Sequence, residues 1–239
     1  MVALYWQQLE MTGTESLSKM RLFAVLSPRT QRCIAGKAVV AKYPPGVHLY
    51  RQGDPPTALY VLQTGRVKLY RQSGEKSQIL ALPAPGECLG AESLPTGAPS
   101  PYSATTLTPV SAILLPPPVL ESLLDEHPDF QEVFLRLITD RLKQFVTLVH
   151  DLAFRDVTSR LATVLLVRAE AEGQRSDDGI RFDRLLSQQE FADMVGTARE
   201  VVYRTFKKFE DDGLIHMTRD SILIRDLESL RKIALQEAR

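Results

Sequence analysis

The sequence has few of the features that mark a secreted, membrane-bound or strongly charged protein. Its 239 residues contain only two cysteines, Cys33 and Cys88, which cannot form a disulfide framework and favour a reduced, cytoplasmic setting. No apolar run approaches the ~20 residues of a membrane span, and the polar start, residues 1–20, is unlike a signal peptide. The 29 basic and 29 acidic residues cancel, so any surface that binds nucleic acid must be local.

Patterns typical of catalysis are also missing from the sequence. There is no nucleophile–base arrangement, no glycine loop of the kind that cradles phosphates and no metal-ligand spacing. We therefore expect a protein that is not an enzyme, with no catalytic and no metal-binding residues.

The first half of the chain is rich in short apolar runs separated by glycine and proline. From Val39 to Leu115 these runs alternate with turn signals, as at Pro45-Gly46 and Pro85-Gly86. Such spacing predicts a small antiparallel sandwich or barrel. The triple proline 116–118 ends the region, because proline cannot continue a strand ladder.

A long helix is predicted next, from about Gln131 to Phe154, with apolar residues at steps of three and four. Such a heptad-like seam favours pairing with a second copy of the chain, although a helix packed on its own sheet gives a similar pattern. The residues assigned to the dimer interface are Ile138, Leu142, Phe145, Val149 and Leu152.

The segment from Ser187 to Lys208 has the pattern of a helix-turn-helix. Ser187 and Glu190 form a capping box at the start of the first helix. Gly196 supplies the turn, because glycine adopts positive φ at little cost, and Thr197 is the expected cap of the second helix. Two short strands, 215–217 and 221–224, are expected to form a wing.

The exposed face of the second predicted helix carries charges suited to reading DNA. Arginine donates two hydrogen bonds to guanine and glutamate accepts from cytosine, so Arg199, Glu200 and Arg204 are assigned to base reading. A solvated charged face is the alternative. The residues assigned to phosphate contacts are Ser187, Gln189, Thr197, Lys207, Thr218 and Arg219.

Three stretches resemble the CRP/FNR superfamily of bacterial regulators over roughly residues 20–228. They are residues 152–161, residues 187–196 and the run Arg199-Glu200-Val201-Val202-Tyr203-Arg204. The resemblance implies an α+β protein with an N-terminal antiparallel β jelly-roll, a long dimerisation helix and a C-terminal winged helix-turn-helix. It also implies a homodimeric activator that binds an inverted repeat with TGTGA-like half-sites in double-stranded DNA and has RNA polymerase as a partner.

The chain is therefore divided into four parts. They are a weakly ordered leader (1–20), a β-roll effector-type domain (21–130), a dimerisation helix (131–155) and a DNA-binding domain (156–239). Ser27 is the expected N-cap of a short helix that Pro28 opens, and Asp156 is the expected N-cap of the first helix of the DNA-binding domain. The polar stretch 172–179 is expected to be a loop.

The effector region departs from the cyclic-AMP receptors that it resembles. In those receptors a glutamate binds ribose, an arginine pairs with the cyclic phosphate and a threonine binds adenine; here Ala91, Tyr102 and Phe145 fall at these positions. Glu92 comes one residue late and is expected to point to the opposite face of a strand. The effector-pocket region is assigned to Gly90, Ala91, Glu92, Tyr102, Ser103 and Phe145, and control by cyclic AMP is not expected.

Other effectors of the family stay open at this point, and no cofactor is predicted. An iron–sulfur cluster is rejected because two cysteines are too few ligands. Haem, with His48 or His150 as axial ligand, an organic acid such as 2-oxoglutarate, and no effector at all remain. Cys88 is either a redox switch or a buried, inert thiol. The alternative function is a cyclic-nucleotide- or other small-ligand-binding module that controls another protein.

Overall fold

The computed structural model describes residues 10, 11, 17 and 20–236. The predicted leader, residues 1–20, otherwise lies outside the described residues. Glu10 pairs antiparallel with Val40, and Leu17 is fully buried in the hydrophobic core. These described parts of the leader therefore belong to the fold, contrary to the weakly ordered segment that the sequence indicated.

In the described part of the chain, helices precede and follow a β-rich region, and further helices and short strands come after them. The helices are α1 (Arg21–Ala24), α2 (Pro28–Lys37), α3 (Pro117–Glu126), α4 (Pro128–Phe154), α5 (Val157–Glu172), α6 (Gln188–Val195), α7 (Arg199–Asp211) and α8 (Leu227–Ala234). The strands are β1 (Glu10–Met11), β2 (Val39–Tyr43), β3 (His48–Tyr50), β4 (Leu59–Thr64), β5 (Val67–Ser73), β6 (Lys76–Ala81), β7 (Cys88–Leu89), β8 (Ser103–Thr106), β9 (Val110–Leu115), β10 (Gln174–Ser176), β11 (Gly179–Asp183), β12 (Ile215–Met217) and β13 (Ser221–Ile224).

The chain divides into two compact units. The first comprises the residues up to Gln72 together with Leu80–Gln144, and the second comprises Ser73–Ile79 and the residues from Phe145 onward. None of the helices in the described part of the chain is both long and apolar enough for a membrane span.

The β-rich region forms two antiparallel sheets, as the spacing of its turns predicted. Their strand orders are β1-β2-β9-β4-β7 and β3-β8-β5-β6. At the centre of the first sheet, Ile113 lies opposite both Val40 and Val61. All three side chains are buried in one apolar cluster, because residues directly opposite each other on neighbouring strands point to the same face of the sheet.

Proline and serine set the helix boundaries around these sheets. The Ser27 hydroxyl accepts a hydrogen bond from the Thr30 amide, and Pro28 opens α2, as predicted. The triple proline closes β9 and starts α3, since proline is tolerated in the first turn of a helix. Both expectations from the sequence are confirmed.

Helix α4 buries one end and exposes an apolar face along its length. Phe130, Val133 and Phe134 pack into the core of the first unit. Further along, the exposed fractions are 61% for Leu142 and 65% for Val149. Val146, which the predicted seam did not include, is 61% exposed, whereas Ile138 packs partly against the core of the first unit.

The second unit combines helices α5–α8 with a four-stranded antiparallel sheet of order β10-β11-β13-β12. Asp156 caps α5 by accepting from the Ser159 amide, as expected. The polar stretch 172–179, expected to be a loop, instead contains β10, whose Arg175 pairs with Ile180 of β11. Polar composition misled here because β10 is fully exposed and has no inward face.

Candidate DNA-reading surface and effector region

The turn between α6 and α7 has the geometry of a helix-turn-helix. Ser187 accepts from the Glu190 amide, and the Glu190 carboxylate accepts from the Ser187 amide at 2.9 Å, which completes the predicted capping box. Gly196 ends α6 with φ of 68°. The backbone conformation therefore favours glycine, and a Cβ at this position, 2.7 Å from Leu152 Cδ2, would also displace the end of that side chain.

A close apolar contact holds the two helices of this motif together. Ala192 is fully buried, and the Phe191 and Phe206 rings meet edge to face with centroids 5.1 Å apart. The N-cap of α7 is Ala198, which makes no side-chain capping bond. The prediction that Thr197 caps this helix is therefore wrong, because the helix begins one residue later than a Thr197 cap requires.

Helix α7 separates a buried apolar side from an exposed charged side. Its buried residues are Val202, Thr205, Phe206 and Phe209. Its exposed residues include Arg199, Glu200, Arg204, Lys207 and Lys208. The structure thus brings the three predicted base-reading side chains together on the solvent side of one helix, whose core contacts fix its position.

The predicted phosphate contacts lie at four places in the second unit, and one of them is Thr197 in the turn between α6 and α7. Ser187 and Gln189 lie at the start of α6, where Gln189 Nε2 donates to Asp193 Oδ1 at 2.8 Å. Lys207 is exposed on α7. Thr218 and Arg219 lie in the turn between β12 and β13, and the Thr218 amide donates to the Ser221 carbonyl at 2.9 Å to close it.

Inside the first unit, most side chains at the predicted effector positions are buried. Tyr102 is only 2% exposed, and its ring centroid lies 6.2 Å from that of Tyr50, which is also buried. Burial raises the pKa of the Tyr102 hydroxyl, as do the neighbouring Tyr50 and Glu92, so this hydroxyl stays neutral. Ala91 and Ser103 are buried as well.

Glu92 faces inward, which corrects the expectation that it points away. Strand β7 ends at Leu89, so Glu92 lies in a turn where the alternation of strand faces does not apply. Its Oε1 lies 3.4 Å from Arg141 Nε. The side chains are only 19% and 10% exposed, respectively, so this is a nearly buried ion pair.

Arg141 is the residue of this region that the sequence did not reveal. It donates to the Cys88 carbonyl at 2.9 Å and to Gln144 Oε1 at 2.9 Å. Together with Glu92 and Cys88 it borders a cleft of about 570 Å³. Its position one helical turn before Phe145 and off the apolar seam was the only available signal, and it resembles that of an exposed charge.

Two further residues were assigned to this region. Gly90 directly follows β7 and has φ of 86°, and Phe145 is half-buried and belongs to the second unit.

The candidate haem and redox residues have ordinary structural surroundings. Burial raises the pKa of the Cys88 thiol to about 12, so the thiolate is scarce at neutral pH and the inert interpretation is favoured. His48 Nδ1 is 2.9 Å from Thr105 Oγ1, and His150 is exposed. Among the described residues, no three His, Cys, Asp or Glu side chains are grouped to hold a metal ion.

Comparisons with known proteins agree with this architecture. The family model of the cyclic nucleotide-binding domain matches residues 40–127, and that of the Crp-like helix-turn-helix domain matches residues 159–233. The structure of FixK2 from Bradyrhizobium japonicum superposes with a TM-score of 0.74 and 20% sequence identity, covering 84% of this chain and 99% of that chain. A β-roll, a long helix and a C-terminal helix-turn-helix therefore define a DNA-binding regulator.

Two relatives identify the family. The global nitrogen regulator of Synechocystis sp. is 34% identical over 182 residues, 74% of this chain and 80% of that protein. The CRP-like cAMP-activated global transcriptional regulator of Mycobacterium tuberculosis is 29% identical over 221 residues, 92% of this chain and 99% of that protein. The chain belongs to the CRP/FNR family of transcription regulators, and its relatives are regulators rather than enzymes.

The cyclic nucleotide that gives the first domain model its name does not fit the residues found here. A buried phosphate needs a cationic partner. Tyr102 can offer only a neutral hydroxyl, and the nearby guanidinium of Arg141 already serves Glu92, Cys88 and Gln144.

Proposed function

We propose that this protein is a transcription activator that binds, as a homodimer, an inverted repeat with TGTGA-like half-sites. The observation that carries the proposal is the exposed side of α7, where Arg199, Glu200 and Arg204 project from a helix held by buried Val202 and Phe206. Residues 156–239 are the proposed DNA-binding domain. The activator acts in the cytoplasm and contacts RNA polymerase.

Base reading follows from the hydrogen-bonding capacity of these three side chains. Each arginine matches the two acceptors of guanine in the major groove, and Glu200 matches the cytosine amino group. The N-terminal end of the recognition helix enters the groove, and Arg199 and Glu200 are its first residues.

Selection of binding sites from random DNA tests this assignment. The wild type is expected to enrich an inverted repeat with G·C pairs in each half-site. Arg199→Ala is expected to lose about 1–3 kcal/mol of binding free energy and to relax preference at one base pair. An unchanged preference for this variant would show that Arg199 does not read bases.

The exposed apolar face of α4 supports the homodimer, with residues 131–155 as the dimerisation helix. Leu142, Val146 and Val149 recur at the spacing of one helical face, and each is more than half exposed in a single chain. Such a face is stabilised when a second copy covers it. Ile138, Phe145 and Leu152 flank it and are half-buried.

Leu142→Asp tests this interface. The side chain is 61% exposed in the single chain, so the variant is expected to fold. In the dimer the carboxylate would be buried without a partner, at a cost of about 3–5 kcal/mol, which should dissociate the subunits. Sedimentation measures the change, with Val167→Asp as a control at an exposed apolar position on α5. If Leu142→Asp remained a dimer, the interface would not include this face of α4.

Cyclic AMP does not control this activator in our proposal. Tyr102 and Tyr50 are buried in the effector region, where Glu92 is paired with Arg141, and a ligand shifts an equilibrium only if it favours one state. Calorimetry is expected to show no binding at micromolar cyclic AMP, and the affinity for DNA should not change with the nucleotide. Tight binding there would overturn this part of the proposal.

A further inference from the structure

Tyr203 stands out as an apolar side chain on a charged surface. It is 52% exposed. Within residues 159–233, all of which the structure describes, the one other large hydrophobic side chain with comparable exposure is Val167 on α5. The ring therefore contributes little to the core of the second unit, which Val202, Phe206 and Phe209 form on the other side of α7.

The position of Tyr203 places it within the proposed reading surface. Residues four apart on a helix lie above one another, so Arg199, Tyr203 and Lys207 form one row along α7. Glu200 and Arg204 lie beside this row. Tyr203 lies about 6 Å along the helix axis from Arg199 and about 1.5 Å from Arg204, so a duplex that both arginines contact must also meet the tyrosine ring.

The chemistry of the ring selects its partner on the DNA. Thymine carries a methyl group in the major groove, and apolar side chains contact it. Such a contact stabilises the complex, because it removes apolar surface of both the ring and the methyl group from water.

We propose that Tyr203 is a specificity-determining residue that packs its ring against a thymine methyl group next to the base pairs read by the two arginines. This inference rests on the proposed function of α7 and extends it to the methyl group of one thymine in each half-site. The hydroxyl group is not needed for this contact.

Replacing each thymine of the selected half-site in turn by deoxyuracil provides the test, because deoxyuracil lacks only the methyl group. At one position the wild type is expected to lose about three- to fivefold in affinity. Tyr203→Phe should lose affinity by the same factor on the substituted duplex, because it keeps the ring. Tyr203→Ala should bind the two duplexes equally and should relax the preference for thymine at that position in selection from random DNA.

Val167→Ala is the matched control, since it also removes an exposed apolar side chain from the second unit, and it should behave as the wild type. If the wild type and Tyr203→Ala respond alike to deoxyuracil at every position, or if Tyr203→Phe behaves like Tyr203→Ala, the inference is wrong and base reading by Arg199 still stands. A wild type without any sequence preference would overturn both the inference and the proposed function.

Discussion

The reading surface of α7 and the effector region of the β-roll hold their key side chains in opposite ways. On α7, Arg199 and Arg204 extend into solvent, and the buried side of the helix positions them. In the effector region, Tyr102 of the roll and Arg141 of α4 are buried, and Glu92 is nearly buried and paired with Arg141, which also donates to the backbone. A substitution on α7 can therefore change recognition without disturbing the fold, whereas a substitution in the roll requires its neighbours to change as well.

Tyr102→Arg should give the largest effect and separates the two regions most clearly. The new guanidinium would be buried beside Arg141, with Glu92 as the nearby carboxylate for both. An uncompensated buried charge should lower the free energy of unfolding by about 3–5 kcal/mol. Urea denaturation measures this loss.

Tyr102→Phe is the matched control, because it keeps the ring and removes only the hydroxyl, at a cost of about 1–2 kcal/mol. If Tyr102→Arg were as stable as the wild type, the interior of the roll would tolerate substitution as well as the surface of α7 does.

Gly196→Ala should give an intermediate effect at the turn that supports the reading surface. Alanine at φ of 68° costs about 1–2 kcal/mol, and its Cβ would also press on Leu152. Thermal unfolding gives the change in stability, and DNA affinity should fall with it because α7 must shift.

The matched control for that variant is Gly213→Ala. Gly213 has φ of 71°, and among the described residues no neighbouring atom lies within 4 Å of the place that a Cβ would occupy. This variant therefore carries the backbone strain alone. Equal losses in the two variants would contradict a packing role for Gly196.

Lys207→Ala should give the smallest effect. If Lys207 contacts phosphate, binding should weaken by a similar factor on all DNA sequences, and the dependence of log affinity on log salt should fall by about one. Lys232→Ala removes the same charge from α8 and should leave the salt dependence unchanged. A change in site preference for Lys207→Ala would instead make this lysine a base-reading residue.

The segments whose structure depends on neighbouring residues in the chain were predictable from the sequence. The Ser187–Glu190 capping box, the positive φ of Gly196 and the N-cap at Asp156 depend on residues within one or two turns of each other. Strand β10 and the start of α7 after Ala198 were missed. Neither has a side-chain signal, since β10 buries no face and Ala198 makes no capping bond.

The sequence by itself determined the order of the β-rich region, the long helix and the helix-turn-helix, and the charged side of α7, because periodicity and caps act over short distances. Only the tertiary structure decided that Glu92 turns inward to Arg141, a residue far away in the chain, and that Ile138 packs partly against the core while Leu142 stays exposed. The orientation of a side chain outside regular structure depends on which distant group it contacts, and the local sequence pattern does not specify that contact.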